Sequence, residues 1–510
     1  MKRTWLILLL IMALQLLLRL PFIAEPLSQD EGIYSCVAAR LAHGDVLYRD
    51  LIDNKPPGIF YLYRSVYQLF GWSAPALRWF TAFFGLLSTL AVFLLGRRCR
   101  DERAGLLAAL FFAVFSGGVF VEGAGSNTEV YMVLPLLLAL LAFFSGALFW
   151  AGLLSGLALL FKPVAVFPLL VLLGFACWSG GKPGWRRPAL FLAGSAGLPL
   201  LTLLYFWSQG AGEGFINCNL FYSLGMVNPR LGYFLFKTVY LMLFENSVLW
   251  LLAALGLCLA FKERLLLAAW TLAALAGAFA AGYSFGHYYL PLIPGLSLLA
   301  GIAVAGWPEL KIARRGRAAF GVLLAALTLL IVASQYEFYT VYSPAEIARQ
   351  RYGTPANELA RRLGARLGEI TLPRDRILTK SLFSAVFYAG RLPAGGNYLT
   401  VRGGIGEISL FGRQLFAGAL LFQRDPAMVR AIDEDFYRAL ADDRTKYYVV
   451  YLPDYYAPPD AAARLQEYGY RLDRSLTDAA NGVIVYRREV GKIGVAGRRE
   501  RRKNGVSEET

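Results

Sequence analysis

Apolar runs broken by short polar stretches fill the first two thirds of the chain. Segments such as "TWLILLLIMALQLLL" and "LLAALTLLIVAS" show no strand-like alternation, and with their flanks they approach the roughly 20 apolar residues that span a bilayer as a helix. Near residue 335 the pattern changes: apolar runs shorten and charges of both signs mix in. "PANELARRLGARLG" and "PAMVRAIDEDFYRALADD" carry helical spacing, and "KYYVVYLP" and "GVIVYRRE" read as strands. The expected fold class is an α-helical polytopic membrane protein of about eleven transmembrane helices, with juxtamembrane helices on the outer face and a C-terminal soluble α/β domain. Residues 1–335 form the membrane domain, 25–76 its first outer loop, 336–490 the α/β domain, and 491–510 a basic tail expected to be disordered.

Composition narrows the class. At 510 residues with 57% hydrophobic and 17% charged, the chain is too apolar for an ordinary soluble protein. The start "MKRTWLILLL" has the basic-then-apolar order of a signal peptide. No small-x-small cleavage site follows before the polar loop, so an uncleaved first helix is expected. Cys36, Cys99, Cys177, Cys218 and Cys258 show neither pairing nor metal spacing.

The formal charge of +16 does not point to nucleic acid, because the cations cluster between apolar runs. The clusters are "MKR", "RRCRDER" (97–103), "GGKPGWRRP" (180–188), "KER" (262–264) and "KIARRGR" (311–317). Placing all five in the cytoplasm follows the positive-inside rule. The opposite, outer face then receives residues 25–76, the loop at 122–130, the turn at 161–168, residues 209–236 and the stretch at 283–289.

That topology gathers the notable polar side chains on one face. Asp30 and Glu31 open the first outer loop, and Asp53 and Lys55 lie farther along it. Glu122 and Glu129 lie in the second, Lys162 near the third, Arg230 in the fourth, and His287, Tyr288 and Tyr289 in the fifth. Acids, cations and aromatics at one interface suit chemistry on a lipid-carried anionic substrate. A carboxylate can take the proton of an acceptor hydroxyl, and a cation can offset charge on a departing phosphate.

Each element also has a plainer explanation. "SQDE" fits a capping box, with Ser28 as cap and Glu31 three residues on, ahead of a helix presenting Ile33, Val37 and Leu41. Glu31 suits that cap, which leaves Asp30 the freer carboxylate. "DNKPPG" reads equally as a turn before a helix that starts at proline, Lys162 as a snorkelling cation, and Arg19 as one that either snorkels outward or faces a polar cavity. Phe215, Phe221 and Tyr222 could line a cavity or anchor the interface.

Taken together and in order, the marks form a series. An Asp-Glu pair follows the first span, and Lys-Pro-Pro comes 25 residues after Asp30. "TE" in a short second outer loop, "GLALLFKP" at a span end and "HYYLPLIPGLSLLAG" at a span start complete it. Over roughly residues 1–335 the chain resembles the GT-C superfamily of integral membrane glycosyltransferases. The likeness is to the bacterial branch related to protein O-mannosyltransferases and the lipid A aminoarabinose transferase.

The resemblance implies an inverting glycosyltransferase that moves a sugar from a polyprenyl-phosphate carrier to lipid A, an envelope glycan or a protein. The setting it implies is the outer face of the cytoplasmic membrane. It makes Asp30 the catalytic carboxylate with Glu31 in support, and assigns Lys55 to the donor phosphate. Lys162, His287 and Tyr288 line the donor pocket, and Glu129, with Asp53 nearby, is a second acidic site. Relatives often carry arginine before the tyrosine of the last motif, where this sequence has His287 or Tyr288, and Arg230 could substitute. Mg²⁺ or Mn²⁺ could take oxygen ligands from Asp30 and Glu129. No metal spacing is present, and no obligatory cofactor is expected.

Three rivals differ in what they require. A flippase of lipid-linked sugars needs ionisable residues or helix breaks near mid-span, whereas the acids here fall at the outer boundary. A glycan ligase using a lipid diphosphate would carry arginine-rich outer loops between late spans. A sensor or scaffold would leave the acidic pair without a task.

Overall fold

The computed structural model describes residues 2–51, 53–178, 185–221, 244–259, 261–280, 285–310, 313–372, 375–379, 437–438, 440–452 and 461–489. Helix α1 (Lys2–Arg19) leads into a loop and then two short helices, α2 (Gln29–Ala42) and α3 (Gly58–Phe70). Next come α4 (Ala74–Cys99), α5 (Glu102–Phe115), α6 (Thr128–Phe144), α7 (Leu148–Leu159), α8 (Val166–Trp178), α9 (Arg186–Ser208) and the single turn α10 (Gly212–Ile216). Helices α11 (Ser247–Leu257), α12 (Arg264–Ala280), α13 (Ile293–Ala305) and α14 (Arg314–Thr340) complete the bundle.

Against about eleven expected spans, the described residues hold five helices long and apolar enough to cross a membrane: Lys2–Phe22, Ala74–Cys99, Arg186–Ser208, Gly286–Ala305 and Arg314–Thr340. Five shorter apolar helices accompany them, and a helix of 12 residues such as α7 rises only about 18 Å, well short of a hydrocarbon core. Leu9, Leu10 and Leu17 on α1, Leu200, Leu201 and Leu204 on α9, and Leu329 and Leu330 on α14 all point outward. An apolar belt of this extent is stable only in lipid. The chain is an integral membrane protein.

The core lies inside the bundle, where α5 packs on α4 and α13, and α7 runs along α9. Helix α2 is held at its start by Ser28 and Glu31, which form the expected capping box. Its Ile33, Val37 and Leu41 are buried in the bundle core, as the apolar spacing required.

Beyond α14 come α15 (Pro344–Tyr352) and α16 (Ala356–Ile370), then β1 (Arg376–Thr379), β2 (Thr445–Tyr451), α17 (Ala461–Glu467), β3 (Tyr470–Leu472) and β4 (Val483–Arg488). The strands make one sheet in the order β1-β2-β4-β3, with β1 parallel to β2 and the other pairs antiparallel. Leu363 and Leu367 of α16 pack on Ile377, Tyr448, Val449 and Val485 of the sheet. "PAMVRAIDEDF", most of one expected helix, and the tail 491–510 lie outside the described residues.

Contacts from both α15 and α16 seat this unit on the membrane part, among them Ile347 of α15 in a cluster with Phe22, Val119 and Ala124. Cys36 of α2 is buried in the cluster formed by α16 and the sheet. Arg351 of α15 pairs with Glu25 at 2.5 Å and donates to Val119 O at 3.1 Å. The sheet and its helices are therefore anchored beside the loops that carry the acidic pair.

Candidate active site

The neighbouring carboxylates Asp30 and Glu31 occupy the first turn of α2 but have different surroundings. Glu31 is fully buried. Its Oε2 accepts from Ser28 N–H at 2.8 Å and its Oε1 from Ser126 N–H at 2.7 Å. Arg78 of α4 donates to both oxygens. Burial alone would raise the Glu31 carboxyl, but Arg78 and the two backbone donors hold it below the usual range. Glu31 thereby ties the start of α2 to α4 and to the loop before α6.

Asp30 is half-buried and makes no side-chain hydrogen bond to another described residue. Its charge acts on Lys55, Asp53, Tyr34 and Lys162.

The "DNKPPG" turn is built so that Lys55 comes back to α2. Tyr48 donates its hydroxyl to Lys55 O at 2.7 Å, and Lys55 N–H donates to Asp53 Oδ1 at 2.9 Å. Gly58 N–H then donates to Leu160 O at 2.8 Å. A Cβ at Gly58 would lie 2.5 Å from that oxygen, so only glycine lets the turn dock at the end of α7, two residues before Lys162. Lys55 Nζ sits 3.3 Å from Asn54 Oδ1 and 5.9 Å from the Tyr34 ring centre. Burial would lower the Lys55 ammonium, but Asp30, Asp53 and Glu129 together hold it above its ordinary value. Burial, aided by Asp30 and opposed by Lys55, pushes Asp53 up to about 6.

A second cluster faces the first. Glu129, in the first turn of α6, accepts from Thr128 Oγ1 at 2.8 Å and is paired with Lys162. The Lys162 ammonium also lies 3.6 Å from the Tyr288 ring centre. His287 places Nε2 4.0 Å from Glu129 Oε1 and Nδ1 2.9 Å from Glu122 Oε2. The backbone makes this approach possible: a Cβ on Gly286 would lie 1.6 Å from Phe120 O, and Glu122 adopts a left-handed φ of 56°. Lys55 and Lys162 both feel Asp30 and Glu129, so the two clusters form one electrostatic unit.

The structure thus brings together Asp30, Asp53, Lys55, Glu129, Lys162, His287 and Tyr288. It sets Glu31 aside as a buried anchor, and Arg230 and Tyr222 lie outside the described residues, as does the side chain of Phe221. Phe215 stacks on Phe206 at 5.3 Å and edges against Tyr48 at 5.4 Å, so it packs behind the turn that carries Lys55. Arg78 is the residue sequence reasoning passed over. Its signal was present, since an arginine inside an apolar run needs a buried partner. Arg19, open between snorkelling and a polar cavity, points inward to Ser116 Oγ and Gly123 O.

Comparison with known proteins places this arrangement in a recognised fold. The family model for dolichyl-phosphate-mannose-protein mannosyltransferase matches residues 54–207. The fold is similar to that of ArnT from Cupriavidus metallidurans bound to undecaprenyl phosphate, with TM-score 0.62 and 16% identity over 95% of this chain and 98% of that one. ArnT in the apo state gives 0.61 and 17% over the same shares. The archaeal oligosaccharyltransferase AglB from Archaeoglobus fulgidus, in complex with an inhibitory peptide and a dolichol-phosphate, gives 0.50 and 14%, covering 96% of this chain and 75% of that one. No curated protein matches the sequence significantly. The chain shares the overall fold of these structures.

Proposed function

We propose that the chain is an inverting glycosyltransferase that moves a sugar from a polyprenyl-phosphate carrier to a cell-envelope acceptor at the outer face of the cytoplasmic membrane. The observation that carries this reading is the meeting of an unpaired carboxylate, Asp30, with Lys55 at one end of a bundle whose fold is shared with an undecaprenyl-phosphate-bound protein. In this reading the acceptor hydroxyl attacks the anomeric carbon from the face opposite the phosphate. The new C–O bond forms as the bond to the phosphate oxygen breaks. Asp30 takes the hydroxyl proton, the bonding pair leaves with the polyprenyl phosphate, and Lys55 offsets the charge gathering there. Glu129, held by Lys162 and His287, serves the acceptor side.

No metal enters the reading. Among the described residues no group of three or more His, Cys, Asp or Glu side chains is placed to hold one. Glu129, one of the two carboxylates the resemblance offers an ion, is already engaged with Lys162 and Thr128.

The test compares wild type and Asp30→Asn in membranes supplied with radiolabelled polyprenyl-phosphate sugars, with and without EDTA. Label should leave the lipid and appear in an acceptor with wild type alone, chelator or not. Label that stays on every donor with wild type would shift weight to transport or binding. Loss on chelation would bring a metal in.

A further inference from the structure

A cavity of about 460 Å³ opens at the far end of the bundle from the acidic pair. Its wall carries Arg98, Arg187 and Lys262 with a single acid, Glu263, and aromatic faces that include Phe175 and Trp178. Helix α4 fixes the separation. Arg78, which clamps Glu31, and Arg98 lie 20 residues apart on it, so the cavity is roughly 30 Å along the helix axis from the proposed reaction centre. It is thus at the opposite membrane interface and has no part in the chemistry proposed above.

Three cations face one carboxylate. Glu263 is buried and accepts from Arg98 Nη1 at 3.2 Å, which leaves Arg187 and Lys262 uncompensated among the described residues of the wall. Arg187 stands in the first turn of α9, where the helix dipole disfavours a cation and no acidic residue offsets it. The positive-inside rule accounts for cations at this end but not for their convergence on an aromatic-walled recess. Trp178 is 74% exposed and its ring centre lies 6.2 Å from that of Phe175, a platform suited to a glycerol backbone and the upper acyl carbons. We infer that this cavity binds an anionic glycerophospholipid of the leaflet opposite the reaction centre, its phosphodiester held by Arg187 and Lys262 and its chains leaving along Phe175 and Trp178.

The test uses the full chain, purified and exchanged into nanodiscs of phosphatidylcholine with a minority of phosphatidylglycerol, with retained lipid counted by native mass spectrometry. Wild type should keep phosphatidylglycerol selectively. At about 1 kcal/mol per cation, the double variant Arg187→Glu, Lys262→Glu should lose that retention by about tenfold or more. Arg314→Glu with Arg315→Glu makes the same charge change on exposed positions at the same end, and should leave retention intact. Wild type keeping phosphatidylcholine equally well overturns the inference without recourse to any variant. Equal loss in the Arg314, Arg315 control would reduce the effect to general surface charge, and displacement by soluble glycerol phosphate as readily as by lipid would remove the lipid. These readouts do not depend on glycosyl transfer, so either reading can fail alone.

Discussion

Arg78 closes on Glu31 from 47 residues along the chain and donates to both carboxylate oxygens, while the adjacent Asp30 is left outside that clamp. Two side chains that look interchangeable in the sequence therefore predict opposite phenotypes. Asp30→Asn should leave the protein folded and lower kcat by about 10²- to 10⁴-fold, the usual worth of a positioned base. Glu31→Gln should leave Arg78 buried without a counter-charge and cost on the order of 3–5 kcal/mol of stability, read as a fall in Tm. Thermal unfolding and turnover measured on both variants check this together. Equal Tm losses would mean that Asp30 is also structural.

Lys55 and Lys162 should separate in a similar way. Lys55→Ala is expected to raise the donor KM and to lower kcat by tenfold or more, because its ammonium, with no carboxylate within salt-bridge distance among the described residues, is left to the phosphate before and during bond breaking. Lys162→Ala acts through its partner Glu129, so its loss in kcat/KM should not add to that of Glu129→Gln. The coupling expected is about 1 kcal/mol or more, as for groups in direct contact. A double-mutant cycle on kcat/KM measures it. Full additivity would put Lys162 on the substrate rather than on Glu129.

Much of this was legible before any coordinates. The capping box at Ser28 and Glu31, the helix behind it with Ile33, Val37 and Leu41 inward, and the turn before α3 follow from local rules that need only a few neighbouring residues. The freedom of Asp30 was deduced from the cap for the same reason. Arg78 and Arg351 were not legible as partners, because their ion pairs span 47 and 326 residues and no local pattern encodes such distances. The shortness of several apolar helices was hidden too. Hydropathy counts apolar residues and does not fix where within an apolar run a helix starts and stops, as at the 12-residue α7.

Asp53 makes the site sensitive to mild acid. Its carboxyl titrates at about 6, above the ordinary range of about 4, so the fold favours the protonated form. That contribution to stability is fully present below about pH 4 and is lost as pH rises through about 6. Protonating Asp53 also removes a negative charge beside Lys55, while a sugar phosphodiester keeps its single charge throughout. Donor KM should therefore fall severalfold between neutral pH and mild acid. Asp53→Asn should show the low value at both ends, with no pH limb. Donor titrations at a series of pH values decide it, and a KM that rises in acid would place Asp53 on the sugar instead.

The pair Glu25–Arg351 should hold the C-terminal unit against the membrane part. Both side chains are buried, and Glu25 lies in the loop just before α2 while Arg351 lies in α15. Burial raises the Glu25 carboxyl, and Arg351, with a smaller contribution from Arg78, pulls it back, so the ion pair is the main support for a charge there. Arg351→Ala is expected to cost on the order of 3–5 kcal/mol by stranding that carboxylate. Adding Glu25→Gln should recover part of the loss, because a neutral amide is far cheaper to bury than a lone charge. Limited proteolysis, scored on cleavage in the segment that follows α14, should show the single variant opened and the double variant partly reclosed. Were the double variant as open as the single, the stranded charge would not be the cause. Docking would then rest on apolar contacts: Cys36 with α16 and the sheet, and Ile347 of α15 with Phe22, Val119 and Ala124.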